Sequence, residues 1–273
     1  MMDINEIMTK QNYLHPSRYI SGRIVEYDIK SANISTLRMQ NIISEEDYIR
    51  LSNMPKINRE IEIGLMIKND KEVYNYIQKG IKSAKLALAK ANNIDIESIC
   101  RIANDAVYIN SVSNLQRIKF GDYIEFKQKS EFNIMLTLLN VIIFCKFMDD
   151  GNIDVDIKGI GDNMDLHQNY MVNAIVSTIV ILERSGIEEA INYISTLCEQ
   201  YVMLRLPIEY YRTFDSNSVY LTKYNNNYYN LNTGFGIKEC NINNLQELDI
   251  NYNYSILREL WSILLEIYNI RRH

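Results

Sequence analysis

The sequence predicts an α+β fold: an antiparallel sheet with helices on one face, followed by a mainly helical second half. Three observations carry this expectation. Lys71 to Asn92 sets Val73, Ile77, Ile81, Ala84, Leu88 and Ala91 along one helical stripe, the longest such pattern in the chain. Short β-rich runs follow it, Ser98 to Ile102, Ala106 to Asn110, Leu115 to Phe120 and Tyr123 to Lys127, the last two joined by the hairpin-turn pair Gly121-Asp122. Beyond residue 131 the chain returns to apolar runs of helical length. Hairpins placed after a long helix bury one face of their sheet against that helix.

Each element has its local reason. Tyr19 to Asp28 reads as extended, with Ser21-Gly22 as a turn, and Ile34 to Met39 as a short helix. Ser44 followed by Glu45, Glu46 and Asp47 is an N-terminal signal, a capping hydroxyl with acids in the first turn. That helix stops near Asn53, because Pro55 disfavours helix in the residue before it. Asn58 is a candidate cap for the next helix, in which Ile61, Leu65 and Lys68 follow a helical period. In the second half, Phe132 to Phe147 and Leu166 to Arg184 read as apolar helices, the latter stopping near Gly186. Ile187 to Leu206 reads as an amphipathic helix ending before Pro207. Val219 to Tyr224 and Tyr228 to Leu231 read as a hairpin across Asn225-Asn226-Asn227. A closing helix from Tyr254 to Ile270 carries Leu257, Leu260, Trp261, Leu264 and Tyr268 as its apolar stripe, read as core packing.

The 273 residues suffice for one large domain or two intimate ones, and 47% hydrophobic with 23% charged residues is an ordinary globular composition. Only 10 glycines and 3 prolines leave no visible flexible linker. The net charge of −5 argues against a molecule coated in DNA-binding surface, while a local basic groove stays open. Lys56, Arg59, Lys68, Lys71, Lys79, Lys82, Lys85, Lys90 and Arg101 all lie in the first half, whereas 149–165 holds six aspartates and one lysine. A solvated helix face is the plainer reading of Lys79, Lys82 and Lys85. The acidic run lacks the pattern of an EF-hand loop, and Asp149-Asp150-Gly151-Asn152 reads as a turn. Cys100, Cys145, Cys198 and Cys240 stand singly, as buried free thiols would, and form no zinc motif. The acidic, polar start of the chain is no signal peptide. The longest apolar stretches, Ile134 to Phe147 and Met171 to Leu182, are shorter than the ~20 residues a membrane helix needs. The expectation is a cytoplasmic protein with no membrane partner.

Two acidic residues draw attention. Asp28 follows the β-rich Ile24-Val25 and leads into a helical pattern, and Asp105 sits between Cys100-Arg101-Ile102 and Val107-Tyr108-Ile109. Neighbouring strands of one sheet would bring the two carboxylates together, a ligand set for a hard divalent cation. Their plainer reading is a helix cap for Asp28 and a turn residue for Asp105. Asp28 with Ser31-Ala32-Asn33 resembles the first carboxylate motif of the palm-domain nucleic-acid polymerases of families A and B. Asn104-Asp105-Ala106-Val107-Tyr108 is similar to their later acidic hairpin, and Arg59 to Lys68 resembles the basic helix between the two motifs. The match covers residues 20 to 130, under half of the chain.

The resemblance implies a palm-like core over 1–130 and a thumb-like or accessory region over 131–273, in a minimal protein of phage or mobile-element type working in the host cytoplasm. It implies nucleotidyl transfer to a primer 3′-hydroxyl, with Mg²⁺ or Mn²⁺ on Asp28 and Asp105. Asn33 would lie under the sugar of an incoming nucleoside triphosphate, Arg59 and Lys68 would hold its phosphates, and Lys127 and Lys129 would contact primer or template nucleic acid. Arg59 and Lys68 are nine residues apart, two and a half turns at ~3.6 residues per turn, so a regular helix points them to different faces. Arg59, with its bidentate guanidinium, is the better phosphate ligand. Asn104 stands where family B polymerases usually carry a further acid. It favours the alternative of a catalytically inactive palm-like module that binds nucleic acid or, through its C-terminal half, a protein.

Overall fold

A computed structural model describes residues 3–138, 141–158, 168–203, 205–206, 221–224, 227–230 and 243–272. The fold is α+β. It divides into two compact units, the first of Met1–Met135 with Cys145–Phe147, the second of Leu136–Phe144 with Met148–His273.

In the first unit the chain runs through α1 (Ile4–Thr9), β1 (Asn12–Leu14), β2 (Tyr19–Ile29), α2 (Ala32–Met39), α3 (Glu45–Ser52), α4 (Lys56–Asn69) and α5 (Glu72–Asn92). Then come β3 (Ile99–Ala103), β4 (Ala106–Asn110), β5 (Lys119–Phe120) and β6 (Ile124–Leu138). The sheet order is β1-β3-β4-β2-β6, with β5 paired to β6. Alternation along the strands sends Val25, Tyr27, Ile29, Val107 and Ile109 into a core shared with Leu37 of α2 and Ile77, Ile81, Ala84 and Leu88 of α5. The other face carries Glu26 and Asp28, opposite Tyr108 and Ala106 of β4.

Local chemistry accounts for several boundaries. Ser44 Oγ accepts the Asp47 amide at 3.0 Å and starts α3 as expected. The cap of α4 is Pro55 rather than Asn58, and the side of the helix that carries Ile57, Ile61 and Leu65 faces solvent while Ile63 is buried. Ser21-Gly22 is no turn. Gly22 lies inside β2 at φ 130°, and a Cβ there would stand 2.7 Å from Asn110 Oδ1, so the bare glycine lets Asn110 close in. A second bare position joins two helices, since a Cβ on Gly80 of α5 would meet Thr36 Cβ of α2 at 2.5 Å. Residues 115–118 are not the predicted strand. The Asn92 side chain accepts the Gln116 and Arg117 amides, both at 3.0 Å, and donates to the Arg117 carbonyl at 2.7 Å, which takes up groups a ladder would use.

The second unit takes in the end of β6 from Leu136 and β7 (Val141–Phe147) as far as Phe144, followed by β8 (Ile153–Lys158), α6 (Gln168–Ser185) and α7 (Ile187–Val202). Helix was expected over Phe132 to Phe147, and strands are found. A run this rich in apolar residues has no clear period to separate the two states, and its β-branched Ile134, Thr137, Val141, Ile142 and Ile143 favour the strand. The Asp149 to Asn152 turn is present, with the Gly151 amide on the Met148 carbonyl at 3.0 Å. β9 (Leu221–Tyr224) and β10 (Asn227–Asn230) form the expected hairpin, and α8 (Asn243–Arg272) begins earlier than expected. Ala190, Ile194 and Leu197 of α7 and Leu257, Leu260 and Leu264 of α8 are buried, but Trp261 is 40% exposed, its expected place taken by Ile263 and Ile267. Cys100 and Cys145 are buried and Cys198 half-buried, all three as free thiols. Pro207, Asn225, Asn226, Cys240 and the end of the acidic run at Asp162 and Asp165 lie outside the described residues.

Candidate active site

Asp28 comes one residue before the end of β2, and Asp105 sits in the two-residue turn between β3 and β4, where Ala103 pairs Ala106. The β2–β4 register sets Asp28 opposite Ala106, so the turn brings Asp105 beside it. The Ile29 amide reaches the Asp105 carbonyl at 3.4 Å. The two carboxyl groups lie within hydrogen-bonding reach, and burial followed by the Asp28 charge raises the Asp105 carboxyl from its ordinary value to about 6. Burial and the neighbouring Asp28 charge make the ionised form of Asp105 costly, which favours either its proton or a cation beside it.

Four further charged residues stand around the pair. Lys129 of β6 donates to Glu26 Oε1 at 3.1 Å and stands 3.8 Å from Asp28 Oδ2. Glu26 is 1% exposed and bonds the Tyr108 hydroxyl across the strands; burial first, then the Glu26 charge, raises that phenol well above its usual range. Arg101 of β3 stacks over the Tyr108 ring, 5.4 Å from its centroid. On the far side of the turn, Lys85 of α5 is 1% exposed and donates to the carbonyls of Lys10 at 2.8 Å and Asn104 at 2.9 Å. Burial pushes its amine down to about 8, against the pull of Asp105.

The other expected site residues stand apart from the pair. Asn33 of α2 donates to Glu60 of α4 at 2.9 Å. Arg59 is half-buried and Lys68 exposed on α4, and among the described residues neither bonds Asp28 or Asp105. Lys127 is exposed on β6. Thiol chemistry has no support, since burial pushes Cys100 and Cys145 up to about 12 and keeps them protonated. Among the described residues no group of three or more His, Cys, Asp or Glu side chains is placed to hold a metal. The pair therefore offers two protein ligands.

The family described as bacteriophage PBS1 gene 130 protein matches residues 2–266. The chain belongs to that family. No curated protein matches it. The gene 130 description gives a phage source and no activity, so the chemistry of this gene 130 family member is argued from its geometry. Among its described residues no helix is long and apolar enough to cross a membrane.

Sequence patterns held signals for the neighbours of the pair. Glu26 precedes Asp28 by two residues, hence shares its strand face. Lys85 falls four residues after Ile81 in the apolar stripe of α5, where a lysine is out of place unless it is bonded. Tyr108 had no pattern to mark it; only the register reveals that it faces Glu26.

Proposed function

We propose that this phage protein is a nucleotidyltransferase of DNA-polymerase type, in which Asp28 and Asp105 hold two Mg²⁺ ions, or Mn²⁺. The observation that carries the reading is the carboxyl pair itself: two acids from separate strand ends, close enough that one lifts the proton affinity of the other. Such a pair gains from a divalent cation. Mg²⁺ is commonly held by one or two carboxylates, with water and substrate phosphates filling its octahedral shell. When bound, the ions lower the pKa of an attacking hydroxyl and neutralise charge on departing phosphate.

In this reading a primer 3′-hydroxyl gives up its proton to water and attacks the α-phosphorus of a nucleoside triphosphate. The new P–O bond forms as the bond to pyrophosphate breaks. Lys129 lies against Asp28 and Glu26, where its ammonium balances the pair without metal and can turn to a primer phosphate once metal is bound. Lys127 continues that basic edge along β6. Asn33 would meet the sugar, and Arg59, with Lys68 further along α4, would meet the triphosphate.

The test is primer extension with Mg²⁺ or Mn²⁺ and all four dNTPs or NTPs, with wild type beside Asp28→Ala and Asp105→Ala. Extension by the wild type and its loss in both variants is the expected result; no extension by folded wild type sinks the enzymatic reading. Asn104, in place of a further acid, favours a second reading, an inactive module of the same architecture that binds nucleic acid or a protein partner. Binding to primer–template DNA that weakens steeply with salt, in the absence of extension, would select its nucleic-acid form.

A further inference from the structure

Lys85 occupies a position that helix packing alone would give to a leucine or methionine. It lies on the buried face of α5 among Ile81, Ala84, Leu88 and Ala89, and is itself 1% exposed. Burying an amine there is costly unless its N–H groups are bonded. Among the described residues its two hydrogen-bond partners are backbone carbonyls, and neither belongs to α5. Lys10 closes α1, and Asn104 is the first residue of the turn that carries Asp105.

That turn needs outside support. Asn104 is held at φ 49°, the left-handed region, which costs an L-residue roughly 1–2 kcal/mol and is best tolerated by Asn among the non-glycines. Its amide donates to the Gln11 carbonyl at 2.8 Å, and its carbonyl accepts Lys85. The peptide groups of the turn are thus gripped from both sides, by the segment after α1 and by α5.

We infer that Lys85 is a positioning residue: it fixes the β3–β4 turn so that the Asp105 carboxyl is presented to Asp28. The inference rests on the reading of these aspartates as a cation-binding pair. Lys85 itself touches no reacting atom. Its bond to the Asn104 carbonyl holds that peptide plane, its bond to the Lys10 carbonyl ties the plane to the end of α1, and the plane sets the direction in which the next side chain leaves the backbone.

The test is amide hydrogen exchange at Asn104, with Mn²⁺ affinity by titration calorimetry, in full-length wild type, Lys85→Met and Lys85→Arg. In Lys85→Met, exchange at Asn104 should quicken about tenfold while Val107 and Ile109 in the sheet keep their protection. The Mn²⁺ dissociation constant should rise about tenfold. Lys85→Arg, which retains paired donors, should recover part of both. Unchanged Asn104 exchange in folded Lys85→Met overturns the inference, as does unchanged Mn²⁺ affinity. Should Lys85→Met fail to fold, Lys85→Gln, which keeps a short uncharged donor, is read in the same way. Wild type that binds no Mn²⁺ sinks the cation-pair reading instead, and exchange at Asn104 still decides whether Lys85 holds the turn.

Discussion

Asp105 holds its proton to about pH 6 because it is partly buried and faces Asp28. Its folded-state pKa is raised, so its contribution to stability is present below the unfolded value near 3.8 and is lost as pH rises through 6. Asp105→Asn removes that loss. The variant should be more stable than wild type at pH 8, by on the order of 1 kcal/mol once solvent screening at this half-buried group is allowed for, and no more stable at pH 3.5. Urea unfolding at the two pH values measures this. Equal differences at both would mean that the Asp105 carboxyl is not raised in the folded protein. At this scale the sequence was partly legible: Asp28 and Asp105 could be paired from their β-rich flanks, and Lys129 joins them. Asn33 is engaged with Glu60 instead, and Arg59 and Lys68 depend on the orientation of α4, which no local pattern reports.

Among the elements, α2 and α5 show how closely backbones can be specified by one missing carbon. Gly80→Ala gains roughly 1 kcal/mol of helix propensity but drives a methyl to 2.5 Å from Thr36 Cβ and against the Gln40 amide. Such overpacking costs about 1–3 kcal/mol, so the expected net effect is destabilisation by up to about 2 kcal/mol. A thermal midpoint at or above wild type would mean that α2 yields freely. Elements with a strong period or cap were readable, notably α5 with its buried stripe and α3 with Ser44. The 132–147 run was not, because a segment buried on both faces carries no alternation. Residues 115–118 were not either, since the Asn92 amide that straightens them into a loop comes from a helix more than twenty residues earlier.

At the level of the whole molecule, membership in the PBS1 gene 130 family spans nearly the entire chain, residues 2–266. The architecture explains why a boundary near 130 would be a poor place to divide it. β6 runs from Ile124 to Leu138, and the first unit takes back Cys145–Phe147 from the following strand. A fragment of residues 1–147 should therefore unfold cooperatively, whereas 1–130, which ends inside β6 and lacks that returning segment, should not; circular dichroism melts of the two compare them directly. Cooperative melting of 1–130 would show the returning segment to be dispensable. The shared strands also bear on inheritance. With the first unit made of Met1–Met135 and Cys145–Phe147 and the second of Leu136–Phe144 and Met148–His273, a single crossover anywhere in the coding sequence delivers at most one of them whole. Two genes of this kind can trade a complete first unit or a complete second unit in one exchange, but never leave both recombination products with clean halves, and the pair is best viewed as one heritable piece.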